Sequence, residues 1–490
     1  MEKRNSSLAT PYTSIGAIDI DPIGQLQALA YQKFGISQLS DSQKTILGAV
    51  SQNNDCLAVL PTGSGKSLCY ILPALLTRRT TIVISPLISL MHDQITQLAR
   101  AGIHAVAFDY LQSKEEQVEV IRKIQNGQTS IVYVSPERFV TDSFLSLLDK
   151  MDVGLLAIDE AHCVAKWGYH FRQKYRKLGA FLLRFSGATK LALTATAISN
   201  TRGDIIQLLG LQNPMVVSQS PLRENLLIST TKVPSVAQQQ KFILDLVKSQ
   251  KGSGIIYAPT KKIVMQLSKW LRDQGVTTDY YHGDCTQAHR RVIYKKFFEN
   301  QIKVIVSTTA FGMGINKSDI RFIIHAGPPK DFEAYLQEIG RAGRDGKIAN
   351  CHVIYTTRDL ALNKYMIDAS FPPFENVLQV FREIVDQIQI RSEIPESALV
   401  AKISAKLRLS ATKVKNALAV LMRENVIHQW SEQGENATQI FEIGQQENQQ
   451  DVFWDEYGTR RSQALKNLSE FQNALLQDQL QERIRGFFEE

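Results

Sequence analysis

Short apolar segments alternate with longer amphipathic or charged stretches through much of the chain. Between residues 56 and 195 the apolar segments are CLAVL, TIVIS, HAVAF, IVYVS, VGLLAI and KLALTA. Apolar runs of about four to eight residues that are separated by helix-length segments are typical of buried strands joined by crossover helices. The pattern therefore predicts an α/β lobe with a parallel sheet.

The alternation pauses at NPMVVSQSPLREN and then starts again. The second series consists of LLIST, GIIYA, TTDYY, KVIVST, RFIIH and HVIYTT. We infer a second α/β lobe from about Leu226 to Tyr355.

After Thr357 the strand-like segments stop, and apolar residues recur at helical spacing. Two short helices, a turn begun near Ser410, a longer helix and the strand-like VIHQW resemble a winged helix-turn-helix. An ordinary helical subdomain is the alternative. In the final stretch, from 460 to 488, four leucines at helical spacing predict a helix packed against the body of the protein: Leu465, Leu468, Leu475 and Leu476.

These patterns divide the chain into four parts. They are a flexible N-terminus (1–22), a first lobe (23–217), a second lobe (218–357) and a helical, winged-helix-like C-terminal region (358–490). The predicted fold class is α/β, with two parallel-sheet lobes ahead of the helical region.

Composition permits a polyanionic partner and favours an intracellular location. The 490 residues include 56 Lys and Arg against 48 Asp and Glu, a net charge of +8. Such an excess permits binding to nucleic acid without proving it. No signal-peptide core and no apolar stretch long enough to cross a membrane are present. We expect a protein of the cytoplasm, associated with the nucleoid, or of the nucleus in a eukaryote; a transit peptide is a minor alternative.

The cysteines indicate reduced thiols. They are scattered singly, without a CxxC pair, at Cys56, Cys69, Cys163, Cys285 and Cys351. This spacing suggests no disulfide framework.

The segment LPTGSGKS, residues 60–67, predicts a phosphate-binding loop. It lies between an apolar strand and a helical stretch, as such a loop requires. The glycines let backbone N–H groups approach phosphate, the lysine supplies a charge and the last serine can ligate Mg²⁺. The general pattern has Gly where this chain has Leu60. The nucleotide-binding residues are Thr62, Gly63, Ser64, Gly65, Lys66 and Ser67.

Two acids, Asp159 and Glu160, follow the apolar strand VGLLAI. Ligands collect at the carboxyl ends of strands in open α/β sheets. We expect Asp159 to hold Mg²⁺ together with Ser67, and Glu160 to orient or deprotonate the attacking water.

Two arginines end the second lobe in the string QEIGRAGRDG. Arg341 and Arg344 would lie close to one face of a helix. An arginine that neutralises a departing phosphoryl group contributes about 10³ or more in rate. Because these arginines and Lys66 are on different lobes, hydrolysis can be tied to lobe closure.

Together, the motifs resemble those of RecQ-type DNA helicases of helicase superfamily 2. The resemblance covers roughly residues 34–355. It rests on FGISQLSDSQ, LPTGSGKSLCY, VISPLISLMHDQ, YVSPER, DEAHCVAKWGYHFRQKY, ALTATA, GIIYAPT, YYHGDC, STTAFGMGINKSDIRFIIH and QEIGRAGRDG. It implies two RecA-like lobes and ATP with Mg²⁺ as the nucleotide and metal.

The resemblance also assigns roles to individual residues. Gln43 would read the adenine edge. His162 would couple the nucleotide site to the DNA side, while Thr194 and Thr196 would tie the lobes together. The residues that match the family's aromatic-rich, DNA-binding loop are Trp167, Phe171 and Arg172. Independently, aromatic rings stack on bases for roughly 1 to 3 kcal/mol each, although Trp167 and Phe171 could instead be core residues.

The implied activity is ATP-dependent 3′-to-5′ translocation on single-stranded DNA with duplex unwinding, in repair, recombination or replication. Partners would be single-stranded and duplex DNA, with single-strand-binding or other repair proteins as further candidates, and no membrane. Three alternatives stay open: a DNA-stimulated translocase that unwinds weakly, an RNA helicase, and a binding module that has lost hydrolysis.

This sequence departs from the family pattern in three places. Leu39 and Ser40 replace an aromatic residue and an arginine before Gln43, and an acid expected at position 170 is His170. Most family members bind zinc through four cysteines, but no cysteine follows Cys351, and Gln479 occupies the place expected for the first ligand. We predict no structural zinc.

Overall fold

A computed structural model describes most of the chain. The described residues are 21–77, 79–86, 88–109, 112–127, 129–139, 144, 148, 151–163, 178–179, 181–182, 185, 187–195, 197, 199–311, 317–390, 396–423, 426–431, 439–443 and 450–489. The predicted flexible N-terminus lies outside them except at its end. Asp21 caps the first helix by accepting a hydrogen bond from the Ile23 amide at 3.0 Å. Helical structure thus begins at Pro22, one residue inside the segment that we predicted to be flexible.

The first lobe is a parallel sheet covered by helices. Its elements are α1 (Pro22–Phe34), α2 (Asp41–Ser51), β1 (Cys56–Val59), α3 (Leu68–Leu76), β2 (Thr80–Ile84), α4 (Ile88–Arg100), β3 (Ala105–Phe108), α5 (Lys114–Gln125), β4 (Ile131–Val134), α6 (Pro136–Phe139), β5 (Val153–Ile158), β6 (Thr189–Thr194), α7 (Ser199–Leu209) and β7 (Met215–Ser218). The strand order is β3-β4-β2-β5-β6-β1-β7. The central strands read as continuous apolar runs because both of their faces are buried.

Strand β7 corrects our interpretation of the segment between the lobes. The apparent pause in the pattern contains this strand, which pairs with β1 in parallel from Cys56↔Met215 to Val59↔Ser218. It is an edge strand, and Met215 and Val216 are exposed. Its apolar run, from Met215 to Val217, is only three residues long and stands between Pro214 and Ser218, so it does not stand out from a loop. The segment that joins the lobes is therefore only 219–225.

The second lobe repeats the parallel architecture. Its elements are β8 (Leu226–Lys232), α8 (Val236–Ser249), β9 (Ser253–Tyr257), α9 (Lys261–Asp273), β10 (Thr278–Tyr281), α10 (Gln287–Phe298), β11 (Val304–Ser307), β12 (Ile320–Ala326), α11 (Phe332–Ile339) and β13 (Ala349–Tyr355). The strand order is β10-β11-β9-β12-β13-β8. Each predicted strand of this lobe is present, and the two-lobe fold class is confirmed.

The C-terminal region is helical with one hairpin. Its elements are α12 (Thr357–Ser370), α13 (Phe374–Ile390), α14 (Glu396–Leu407), α15 (Ala411–Arg423), β14 (Ile427–Ser431), β15 (Gln439–Ile443), α16 (Gln450–Leu476) and α17 (Leu480–Glu489). Ser410 begins α15, where its hydroxyl accepts a hydrogen bond from the Lys413 amide at 3.4 Å. Strands β14 and β15 pair in antiparallel fashion. Helices α13–α15 followed by this hairpin have the order of a winged helix.

The last two helices pack on the second lobe. Phe471, Leu475, Leu480 and Ile484 are buried in the core of that lobe. The predicted packing is therefore present, except that Leu476 is 53% exposed and faces solvent. None of the helices in the described ranges is long and apolar enough to span a membrane.

We predict that Phe471→Ala loosens the terminal helices. The ring is fully buried and lies 5.1 Å from Phe332 and 5.6 Å from Tyr335, measured between ring centroids. Its loss should cost about 3–5 kcal/mol, seen as a lower thermal midpoint and faster amide exchange in α16. The control Leu476→Ala should stay within about 0.5 kcal/mol of wild type. Equal effects of the two changes would contradict this packing.

Candidate active site between the lobes

The phosphate-binding loop connects β1 to α3. Gly63 and Gly65 have φ angles of 83° and 74°, in the left-handed region that favours glycine. A Cβ atom on Gly65 would lie 2.7 Å from Nε2 of Gln43, and one on Gly63 would lie 3.0 Å from Cγ of Arg344. The loop thus needs glycine for its backbone conformation and for its close neighbours, and it presents backbone N–H groups at the start of α3.

Lys66 lies within this loop. Its ammonium group donates to the carbonyl oxygens of Leu60 at 3.0 Å and Pro61 at 3.2 Å. Burial lowers the pKa of Lys66, while the charges of Glu160 and Asp159 act in the opposite direction. The charged end of Lys66 therefore lies close to the loop and to Asp159 and Glu160, the two acids that the sequence analysis assigned to hydrolysis.

Gln43 braces the phosphate-binding loop from α2. Its amide nitrogen donates to the carbonyl oxygens of Ser64 at 3.0 Å and Gly65 at 3.3 Å. Its amide oxygen accepts from the Ser40 backbone at 2.9 Å, which completes a capping box. In this arrangement the side chain supports the loop, and its predicted contact with adenine stays a prediction.

Asp159 and Glu160 follow β5, as expected from the sequence. Oδ1 of Asp159 accepts a hydrogen bond from the Glu160 amide at 3.0 Å. Glu160 has a φ of 50°, an uncommon conformation for a residue with a side chain. Burial, and then the charge of Glu160, raise the pKa of Asp159 to about 7.

Glu160 is held in its ionised form. Burial by itself would raise its pKa. The close contact with His162, followed by the charges of Lys66 and Arg341, outweighs burial and lowers the pKa to about 2. The carboxylate therefore carries its negative charge at neutral pH.

His162 connects Glu160 to the neighbouring strand. Its Nδ1 lies 3.3 Å from Oε2 of Glu160 and 2.9 Å from Oγ1 of Thr194. Thr194 also accepts a hydrogen bond through its backbone oxygen from the Leu60 amide at 3.0 Å. The end of β6 thus contacts both the acidic motif and the start of the phosphate-binding loop.

The predicted Mg²⁺ ligands are Ser67 and Asp159. Ser67 ends the phosphate-binding loop, where its hydroxyl accepts a hydrogen bond from the Gln94 amide nitrogen at 3.4 Å, and Asp159 directly follows β5. Hydroxyl and carboxylate oxygens suit this ion, and joint binding of Mg²⁺ by these two residues stays a prediction. No cluster of three His, Cys, Asp or Glu side chains able to hold a metal occurs among the described residues. The predicted lack of structural zinc stays a prediction.

The arginine-bearing segment of the second lobe packs directly on the phosphate-binding loop. We call residues 340–347 the arginine loop. A Cβ atom on Gly340 would lie only 1.8 Å from Oγ1 of Thr62, and the side chain of Arg344 lies over Gly63. The two lobes therefore meet at the phosphate-binding loop.

Arg341 extends into the cleft beside this contact. Its side chain is 5% exposed, and its Nε finds no hydrogen-bond partner in the described part of the chain. It lies near the Tyr257 hydroxyl and contributes to the low pKa of Glu160. A cavity of about 460 Å³ there is lined by residues of both lobes, among them Glu160, His162, Tyr257 and Arg341.

Some predicted residues fall outside the described part of the chain. Thr196 and the proposed DNA-binding residues Trp167, Phe171 and Arg172 are among them. Cys163, the last described residue before position 167, lies on the wall of the interlobe cavity.

Sequence reasoning missed two residues of the linker between the lobes. Arg223 and Asn225 donate hydrogen bonds to carbonyl oxygens of the arginine loop. Their segment, SPLREN, appeared only as an interruption of the strand pattern. An arginine and an asparagine in a short linker give no periodic signal, so the sequence carried no indication of this contact.

The chain matches two family models, one in each lobe. Residues 40–203 match the DEAD/DEAH box helicase model, and residues 238–346 match the helicase conserved C-terminal domain. The two matches place the phosphate-binding loop and acidic motif in one model and Arg341 and Arg344 in the other.

Named relatives agree with these models. The chain is 41% identical to the ATP-dependent DNA helicase RecQ of Pasteurella multocida over 69% of this chain and 54% of that protein. It is 38% identical to RecQ of Bacillus subtilis strain 168 over 70% of this chain and 58% of that protein. It is 36% identical to the "Probable ATP-dependent DNA helicase RecS" of the same strain, over 75% of this chain and 74% of the relative. The chain thus spans little more than half of the two RecQ proteins.

Solved structures share the fold. Helicase Lhr of Mycobacterium smegmatis, bound to single-stranded DNA and AMP-PNP, aligns with a TM-score of 0.57 at 18% identity, over 89% of this chain and 63% of Lhr. The DUF1998 helicase MrfA bound to DNA aligns with a TM-score of 0.60 at 19% identity, over 86% of this chain and 62% of MrfA. At these identities the likeness concerns the architecture of the lobes.

We predict that Gly340→Ala slows ATP hydrolysis. The added methyl group would collide with Thr62, so the arginine loop would be pushed away from the phosphate-binding loop. A displacement of about 1 Å can cost about 10²-fold in rate, which steady-state ATPase measurement would detect. Gly48→Ala is the control, because a Cβ atom there meets nothing within 4 Å on α2. Wild-type turnover in Gly340→Ala would contradict this contact.

Proposed function

Because the chain belongs to the RecQ-type family of ATP-dependent DNA helicases, we propose that it couples ATP hydrolysis to movement along single-stranded DNA and to separation of duplexes. The proposed polarity is 3′ to 5′, and the proposed setting is repair, recombination or replication. Single-stranded and duplex DNA are the proposed partners, with single-strand-binding or other repair proteins as further candidates. The proposed location is the cytoplasm, at the nucleoid, or the nucleus in a eukaryote.

One observation carries the proposal: the arginine loop of one lobe contacts the phosphate-binding loop of the other. The backbone N–H groups from Gly63 to Ser67 would hold the phosphates, with Lys66 beside them. Arg341 and Arg344 come from the second lobe, and they would neutralise charge that develops on the γ-phosphoryl group. A contribution of about 10³ in rate corresponds to about 4 kcal/mol of barrier.

The acidic motif supplies the remaining chemistry. Ser67 and Asp159 would hold Mg²⁺, which when bound would offset the negative charge of the phosphate oxygens. Glu160 would position the attacking water. Because His162, Lys66 and Arg341 lower its pKa in spite of burial, this carboxylate is ionised. It would therefore be able to orient the water and to accept its proton.

Coupling to DNA would run through the residues next to the acidic motif. His162 contacts Glu160 and Thr194 at once, and Trp167 follows only five positions later in the sequence. A base that stacks on the ring of Trp167 or Phe171 would therefore act on a segment joined directly to the hydrolysis site, with Arg172 on the backbone phosphate.

The winged-helix-like region is the proposed contact for duplex DNA. Helix α15 carries exposed Lys413 and Lys415 in its first half. In winged and related helix-turn-helix folds the helix after the turn enters the major groove, and lysines there would bind phosphate in a salt-dependent way.

We predict ATP-dependent strand displacement from a duplex with a 3′ single-stranded tail. A 5′-tailed duplex should not be unwound, because translocation has one polarity. Lys66→Ala should abolish displacement and ATP hydrolysis, whereas the exposed Lys248→Ala should leave both unchanged.

Other outcomes of this experiment would change or contradict the proposed function. Displacement from the 5′ tail would reverse the polarity. DNA-stimulated hydrolysis without displacement would favour a translocase, and stronger stimulation by RNA than by DNA would favour an RNA helicase. Displacement that survives Lys66→Ala would contradict the proposed site.

A further inference from the structure

The linker between the lobes, residues 219–225, is hydrogen-bonded at its start to the first lobe. The Gln219 amide donates to the carbonyl oxygen of Val59 at 2.9 Å. Val59 is the last residue of β1, directly before the phosphate-binding loop. The Gln219 side chain also donates to the hydroxyl of Ser42, next to the Gln43 that braces this loop.

The end of the linker is hydrogen-bonded to the arginine loop. The guanidinium of Arg223 donates to the carbonyl oxygens of Gly343 and Gly340, both at 2.9 Å, and to that of Ala342. These carbonyl groups lie at or beyond the C-terminal end of α11, where intrahelical partners run out. One planar, multidentate side chain therefore satisfies three acceptors around Arg341 and Arg344.

Asn225 holds the same loop from a second direction. Its amide nitrogen donates to Gly343 at 2.8 Å and to Lys347 at 2.7 Å. Gly343 has a φ of 56°, and a Cβ atom there would lie 2.5 Å from this nitrogen. The backbone of the arginine loop is thus shaped to accept the asparagine.

The linker between these two sets of bonds has little freedom. Pro221 is buried and fixes its own φ angle, and Leu222 packs against the core of the second lobe. Only three residues therefore separate Gln219, which bonds to the phosphate-binding strand, from Arg223, which bonds to the arginine loop. A shift at one end is transmitted to the other instead of being absorbed.

We infer that this linker is a strap that sets the arginine loop relative to the phosphate-binding loop, with Arg223 and Asn225 as positioning residues for Arg341 and Arg344. The inference rests on the proposed ATP hydrolysis. Neither residue need touch the nucleotide. Each fixes the backbone from which the two arginines project.

The test compares Arg223→Gln, Arg223→Lys and Asn225→Ala with wild type. All three should lower kcat for ATP by about 10- to 100-fold, the range expected for misplaced catalytic groups, with KM for ATP and binding of single-stranded DNA unchanged. Arg223→Lys should fail to rescue, because an ammonium group keeps the charge but cannot reach three carbonyl groups in one plane.

Arg79→Gln is the matched control. Arg79 also donates to backbone carbonyl groups, those of Val153 and Gly187, but it precedes β2 at the amino ends of the first lobe's strands, away from the phosphate-binding loop. It should retain wild-type kcat. Thermal midpoints of all variants show whether a fall in kcat comes from misplaced arginines or from unfolding. If Arg223→Gln does not fold, the kcat of Asn225→Ala provides the test.

A wild-type kcat in folded Arg223→Gln or Asn225→Ala would contradict the inference that the linker positions the arginine loop. Full activity in Arg223→Lys would show that charge alone matters and would overturn the positioning role. If the wild-type protein does not hydrolyse ATP, the proposed function itself is wrong. If the wild-type protein hydrolyses ATP and the variants do so equally fast, only the inference about the strap is wrong.

Discussion

The contact between Gly340 and Thr62, with Arg344 over Gly63, is the constraint on which the rest of the site depends. The cationic side chains of the proposed site come from both lobes. The first lobe supplies Lys66, and the second supplies Arg341 and Arg344. Glycine is required on both sides of the contact, since a Cβ atom at 340 or 63 would fill the space that the other lobe occupies.

The two parallel sheets explain how such a contact arises. In the first lobe, the phosphate-binding loop and the acidic motif follow the carboxyl ends of β1 and β5, where loops of a parallel sheet gather. In the second lobe, the arginine loop leads from α11 into β13 and reaches the amino end of β12, where the Gly343 amide donates to the Ile320 carbonyl oxygen at 2.9 Å. A linker of a few residues, bonded at both ends, joins these parts of the two lobes. Parallel architecture, a short linker and glycine-rich loops together make one site from two lobes.

The sequence predicted the parts of this arrangement that have a period or a motif. Buried strands such as β4 and β5 appear as uninterrupted apolar runs because both of their faces are covered, and the phosphate-binding loop appears through its glycines and Lys66. Strand β7 was missed because its apolar run is only three residues long, from Met215 to Val217, and stands between Pro214 and Ser218. The linker residues Arg223 and Asn225 were missed because their partners are backbone carbonyl groups, which leave no mark on side-chain chemistry. For Gln43 the family resemblance implies a contact with adenine, which stays a prediction, and the structure adds that its side chain braces the loop.

Single-turnover hydrolysis by Arg341→Ala tests the interlobe site most directly. Arg341 is buried in the cleft, belongs to the second lobe and acts on the charge of Glu160 in the first. The account predicts that the rate constant for hydrolysis falls about 10³-fold, while the affinity for ATP, measured separately, stays close to that of wild type. An unchanged rate constant, or a loss of rate that only follows a loss of ATP affinity, would contradict a catalytic site shared between the lobes.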